Sequence, residues 1–144
     1  MPNRPVRQII KDQKVLTAPA TISAAAAAKL MKRRRVGAVM VVSGNKLIGL
    51  FTERDALFRV IAAGLDPETT PLSAVMTSNL QTIGPDKPFG HALHMMYEGG
   101  FRHVPVVENG NAIGIVSARD ALGSEMEQFE SELETRQHVN EILG

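Results

Sequence analysis

A chain of 144 residues has the length of one domain, which argues against an enzyme assembled from separate cofactor and substrate domains. With 44% hydrophobic and 22% charged residues it can bury a core, and with no cysteine it has no disulfide, no thiolate nucleophile and no cysteine metal site; such a composition fits a reducing compartment, so the cytoplasm is the expected location. The net charge of +1 conceals a polarity: residues 1–35 hold nine Lys or Arg against Asp12, and residues 124–144 hold six Glu against Arg136, ends suited to attract phosphates or each other.

In chain order, Val6 to Lys11 reads as a turn of helix, and Val15 to Ala18 as a short strand stopped by Pro19. The apolar run Ala24 to Ala28 is too short for a signal-peptide core and is followed by Lys29, Lys32, Arg33, Arg34 and Arg35, so neither export nor a membrane span is expected. Its alanines predict a helix over Ser23 to Arg34, with the basic residues at the negative end of the helix dipole. A phosphate or nucleic-acid patch is the weaker reading of that basic run. Strands are expected over Ala38 to Val42 and Leu47 to Phe51, joined at Ser43-Gly44-Asn45. A helix follows Thr52 and ends near Ala63, with Gly64 as a left-handed cap.

After a linker, Leu65 to Pro71, the pattern returns. A strand over Leu80 to Ile83 meets Pro85, a helix runs from Pro88 to Tyr97, and strands over His103 to Val107 and Ala112 to Val116 flank the hairpin signal Asn109-Gly110. A longer acidic helix starts after Ser117 and extends through Phe129, Leu133, Val139 and Ile142. All four long strands are nearly continuously apolar, which calls for cover on both faces.

The return is a repeat. Val41 to Leu57 aligns without gaps on Val106 to Leu122 at a constant offset of 65, with Val41, Val42, Ile48, Gly49, Arg54, Asp55, Ala56 and Leu57 recurring unchanged. The architecture read from this is βαββα twice.

What recurs most faithfully is a hydroxyl ending a strand with Asp three residues on: Thr52-Glu53-Arg54-Asp55 and Ser117-Ala118-Arg119-Asp120. Taken singly, that is a capping box, which satisfies free N–H groups in a helix's first turn. The same geometry suits a nucleotide, with phosphate at the helix start and ribose hydroxyls on the acid.

These residues resemble a pair of CBS domains, the tandem arrangement called a Bateman module. The resemblance rests on the pattern of glycine, two apolar residues, hydroxyl, two residues and Asp at Gly49 to Asp55 and Gly114 to Asp120, and on the lead-in PLSAVMT at Pro71 to Thr77. It implies an α/β (α+β) fold of two βαββα repeats packed as a pseudo-two-fold module, helices covering small sheets, with repeat 1 at 6–64, a linker and lead-in at 65–79, and repeat 2 at 80–144. It implies regulatory binding of AMP, ADP, ATP or NAD(H), sometimes S-adenosylmethionine, in a cleft between the repeats. Carried over residue by residue, one site combines Thr52 and Asp55 with Ile83, Arg102 and His103, and the other combines Ser117 and Asp120 with Thr17, Ala18 and Ala38. Gly37, Arg54, Pro105 and Arg119 complete the ligand-binding set. Repeat 1 has Gly37 and Ala38 where repeat 2 has Arg102 and His103, so the two pockets are expected to differ in phosphate affinity, and if only one is occupied it is expected to be the one at Thr52 and Asp55. The family also implies a homodimer acting on a separate target protein.

No enzyme is expected. His91 and His94 lack a carboxylate nearby in sequence to complete a metal set, Ser117 lacks triad partners, and no glycine-rich phosphate loop is present. Nucleic-acid binding through Lys32 to Arg35 is disfavoured because aromatic residues do not interleave with the run. It stands as an alternative, as does a ligand-free dimerisation scaffold.

Overall fold

The structure, a computed structural model, describes residues 1–143. It is a mixed α+β architecture in which the first repeat has the βαββα order and the second has the same order without its first strand. By packing, the chain separates into two units: one holds residues 14–81 and 107–113, the other residues 1–13, 82–106 and the chain from Gly114 on.

In the first of these units, α2 (Ala24–Arg34) begins at Ser23, whose side chain accepts the Ala26 N–H at 3.1 Å, a cap that satisfies one orphan donor. Its buried face is Ala24, Ala27 and Met31, three turns of small or flexible side chains that let the helix lie close on the strands. Those strands are β1 (Thr17–Ala18), parallel to β2 (Ala38–Ser43), which is antiparallel to β3 (Lys46–Thr52). The β2–β3 register runs from Ala38 opposite Thr52 to Ser43 opposite Lys46, with an irregularity between Val41 and Val42. Val39, Met40, Val41 and Phe51 are fully buried, as expected for strands covered on both faces. Beyond Thr52, α3 (Glu53–Asp55) continues as a π-helical stretch, Ala56–Ile61, and Gly64 at φ 73° closes it as expected. The short helix α4 (Leu72–Val75) completes this core with Leu72 and Val75.

In the other unit, α1 (Val6–Ile10) buries Val6 and Ile10 and α5 (Phe89–Gly99) buries Phe89, Ala92 and Leu93, while of β4 (His103–Glu108) and β5 (Asn111–Ser117) residues 103–106 and 114–117 belong here. Gly100 caps α5 at φ 71°. The expected strand Leu80 to Ile83 is reduced to one parallel bridge, Ile83 with Val106: the Leu80 N–H turns back to the Ser78 carbonyl, and the Ile83 N–H reaches the Pro105 carbonyl of the neighbouring strand. The helix expected directly after Ser117 is also corrected. A 3₁₀ turn, Ala118–Asp120, ends in extended backbone at Ala121 (ψ 132°), and α6 (Gly123–Leu143) starts afresh.

The two hairpin turns reach the right-handed strand twist by different routes. Asn109 and Gly110 both have positive φ, 53° and 81°, the type I′ pattern, whereas at Gly44-Asn45 the glycine alone is positive, at 62°, the II′ pattern.

Candidate functional site

Each unit gathers the chemistry of its own repeat. In repeat 1, Thr52 leaves β3 in extended conformation and its Oγ1 accepts the Asp55 N–H at 3.2 Å. Asp55 Oδ2 in return accepts the Thr52 N–H at 2.9 Å and the Thr52 hydroxyl at 3.1 Å. Its other oxygen, Oδ1, accepts the Thr77 hydroxyl at 3.3 Å and lies 3.4 Å from Arg59 Nε. Arg59 also donates to the Met76 carbonyl at 3.2 Å, so one cation ties the acid to the lead-in segment. Asp55 is 6% exposed. Its carboxylate is a satisfied structural group, and the Glu53 N–H is taken by the Gly37 carbonyl at 3.0 Å.

Around that turn the sequence-predicted residues of repeat 1 are close. Ala38 pairs with Thr52, Gly37 bonds Glu53, and Thr17 and Ala18 pair with Met40 and Val41 on the adjacent strand. Arg54 is exposed and stands 5.8 Å from the Phe58 ring centroid.

Repeat 2 builds the same turn differently. Asp120 Oδ2 accepts the Ser117 N–H at 2.7 Å, the reciprocal half of a capping box. Asp120 is half-buried, and among the described residues no donor reaches its Oδ1. In the same unit Ile83, buried, donates its N–H to the carbonyl of buried Pro105 at 3.0 Å, while Arg102 and Arg119 are exposed and His103 is half-buried.

Residues that the sequence reading did not single out do much of the positioning. Thr77 and Arg59 saturate Asp55; the i,i+4 spacing of Asp55 and Arg59 was a readable signal. In repeat 2, Arg4 donates to the Asp120 carbonyl at 2.8 Å, and the Gln13 amide brackets Ile115, donating to its carbonyl at 2.8 Å and accepting its N–H at 2.9 Å. His94 belongs to another cluster, 3.3 Å from Glu132 and edge-on to Phe129 at 4.9 Å. Among the described residues no cluster of metal-ligating side chains occurs, and no helix is long and apolar enough to cross a membrane. The basic side chains Lys29 and Lys32 to Arg35 are exposed, with Arg34 donating to the Lys14 carbonyl.

The family profile described as CBS domain matches twice, over residues 6–62 and 72–127. The CBS domain-containing protein CBSCBSPB1 of Arabidopsis thaliana is 40% identical over 110 residues, 76% of this chain and 20% of the relative. The chain thus spans about a fifth of the length of the plant relatives it matches. Among solved structures, the CBS domain pair of protein MJ0100, in complex with 5′-methylthioadenosine and S-adenosyl-L-methionine, is similar at TM-score 0.74 and 27% identity, covering 83% of this chain and 93% of that one. The CBS domain protein PAE2072 from Pyrobaculum aerophilum, complexed with AMP, is similar in fold at TM-score 0.78 and 22% identity, covering 88% of this chain and 98% of that one.

Proposed function

The chain belongs to the CBS-domain family, and from that membership we propose that it is a regulatory, non-catalytic module that binds an adenine-containing small molecule through its hydroxyl-and-Asp turns and passes the change to a partner protein. The ligand class is supported by the MJ0100 pair, which holds two adenosine derivatives. The observation that carries the reading is the contrast between the two acids. Asp120 has an uncommitted carboxylate oxygen in a half-buried setting, which suits charge-assisted bonds from ribose hydroxyls. Asp55 would first have to release Thr77 and Arg59. The Ser117–Asp120 turn is therefore the primary recipient, which reverses the preference drawn from sequence for Thr52 and Asp55. Arg102 and His103 serve a phosphate from AMP, ADP, ATP or NAD(H).

Calorimetry and melting with AMP, ATP, NADH and S-adenosylmethionine test this. A binder present at 100 times its Kd should add about 2.7 kcal/mol of stability. Asp120→Asn should abolish that gain at a stability cost of about 1 kcal/mol, whereas Asp55→Asn should cost about 2 to 3 kcal/mol, because it strands buried donors. Failure of all four compounds to shift melting sinks the reading, and binding that survives Asp120→Asn but not Asp55→Asn restores the sequence-based order.

Self-association is part of the proposal. Leu57, Phe58 and Ile61 are exposed together on the π-helical stretch, an apolar group that a second copy of the same group would cover. Sedimentation should show a dimer that Phe58→Glu converts to monomer.

A further inference from the structure

Repeat 1 runs from its capping box straight into the next helix, but repeat 2 breaks after Asp120, and α6 needs a start of its own. That start is capped by Glu125, whose Oε1 accepts the Leu122 N–H at 2.9 Å, the N3-to-N-cap half of a capping box. One side chain spans the break. Arg4 Nη2 donates to the Asp120 carbonyl at 2.8 Å and to Glu125 Oε1 at 2.8 Å, and Arg4 Nε donates to Glu125 Oε2 at 3.2 Å. Arg4 is itself anchored: its carbonyl accepts the Phe89 N–H at 2.8 Å, and its guanidinium lies 5.6 Å from the Phe89 ring centroid. Glu125 is only 9% exposed. A forked cation on a buried carboxylate is strong and exacting in angle, and an ammonium does not reproduce it.

We infer that Arg4 is a positioning residue that couples the Ser117–Asp120 turn to the start of α6, so that occupation of the Asp120 carboxylate changes how firmly α6 is capped. The inference rests on the ligand site proposed above. A ligand drawn onto the carboxylate shifts the same residue's carbonyl, which Arg4 grips; the fork passes that shift to Glu125, which tightens or loosens its hold on the Leu122 N–H. The coupling equals the ligand's differential affinity for the capped and uncapped states. Repeat 1 has no such break, so α6 alone receives the signal.

Amide hydrogen exchange, resolved by residue on the full chain, tests it. Without ligand, Arg4→Gln should speed exchange at Leu122 and Met126 about tenfold, with Arg4→Lys between it and the parent and Asp55 to Ile61 unchanged. Equal rates in Arg4→Gln and the parent overturn the tie. With saturating AMP, exchange at Leu122 and Met126 should change in the parent and stay unchanged in Arg4→Gln, while calorimetry still registers binding. A ligand effect that persists in Arg4→Gln overturns the coupling. Should Arg4→Gln fail to fold, Arg4→Lys and Glu125→Gln support the same comparison. If none of AMP, ATP, NADH and S-adenosylmethionine binds the parent, the ligand reading falls and the relay with it, while the ligand-free rates still decide whether Arg4 holds the α6 start.

Discussion

Arg35 ends α2 in the left-handed region at φ 54°, where the repeat places Gly100 at φ 71° in α5. A side chain costs about 1 to 2 kcal/mol there, and glycine loses some of that advantage to the entropy of the unfolded chain. Arg35→Gly is expected to raise stability in urea denaturation by up to about 1 kcal/mol; a fall would mean that the cation makes a contact worth more than the strain. Gln13 illustrates what single-residue reading misses. Leu50 exchanges two backbone bonds of 2.9 Å with Thr77, and at the equivalent Ile115 the Gln13 side-chain amide takes over both roles. An amide group mimicking a strand has no sequence signature, since nothing near Gln13 marks the edge it will meet. Gln13→Ala should cost about 1 to 2 kcal/mol, measured by the same unfolding curve.

At the scale of elements, hydrophobic periodicity and turn chemistry made helices, strands and hairpins legible, because those signals are local. The strand at Leu80 to Ile83 and the unbroken helix after Ser117 were misread because their outcome depends on distant partners: Val106 offers one pair to Ile83, and Arg4 and Glu125 stabilise a second helix start. The glycine shared by both motifs is explained by packing. A Cβ at Gly49 would strike the flexible Met76 side chain, and one at Gly114 would strike Ile10 at 2.7 Å. Ile10 is β-branched and buried on α1, so it yields less readily. Gly114→Ala should therefore destabilise by about 1 to 3 kcal/mol and Gly49→Ala by less; comparable losses would show that backbone freedom, not the neighbour, demands glycine.

For the molecule as a whole, the duplication was legible because an offset of 65 survives in the apolar and motif positions. The association of residues 1–13 with the unit of the second repeat was not, since it rests on long-range bonds such as the Val6 N–H to the Lys87 carbonyl and the Arg7 N–H to the Pro85 carbonyl. Arg7 also bonds the Asp86 side chain, and this hydrogen bond, with the charge of the guanidinium, holds the Asp86 carboxyl below its ordinary value. A carboxyl lowered on folding stabilises above its unfolded value and loses that contribution as the pH falls through its folded value. The parent should therefore lose more stability than Asp86→Asn between neutral pH and the acid side of the carboxylate range, and parallel curves would remove the contribution.

Residues 1–13 are made well before the partners they join: Gln13 meets Ile115 across 102 positions, and Arg4 meets Glu125 across 121. At a ribosomal pace of about 5 to 20 residues per second, the leading segment waits several seconds with Val6 and Ile10 uncovered. Residues 14–81 have most of their own unit in hand well before then. The nascent chain is thus expected to finish in two stages, the later one limited by closure of a very long loop, and it is in that interval that a chaperone would find it.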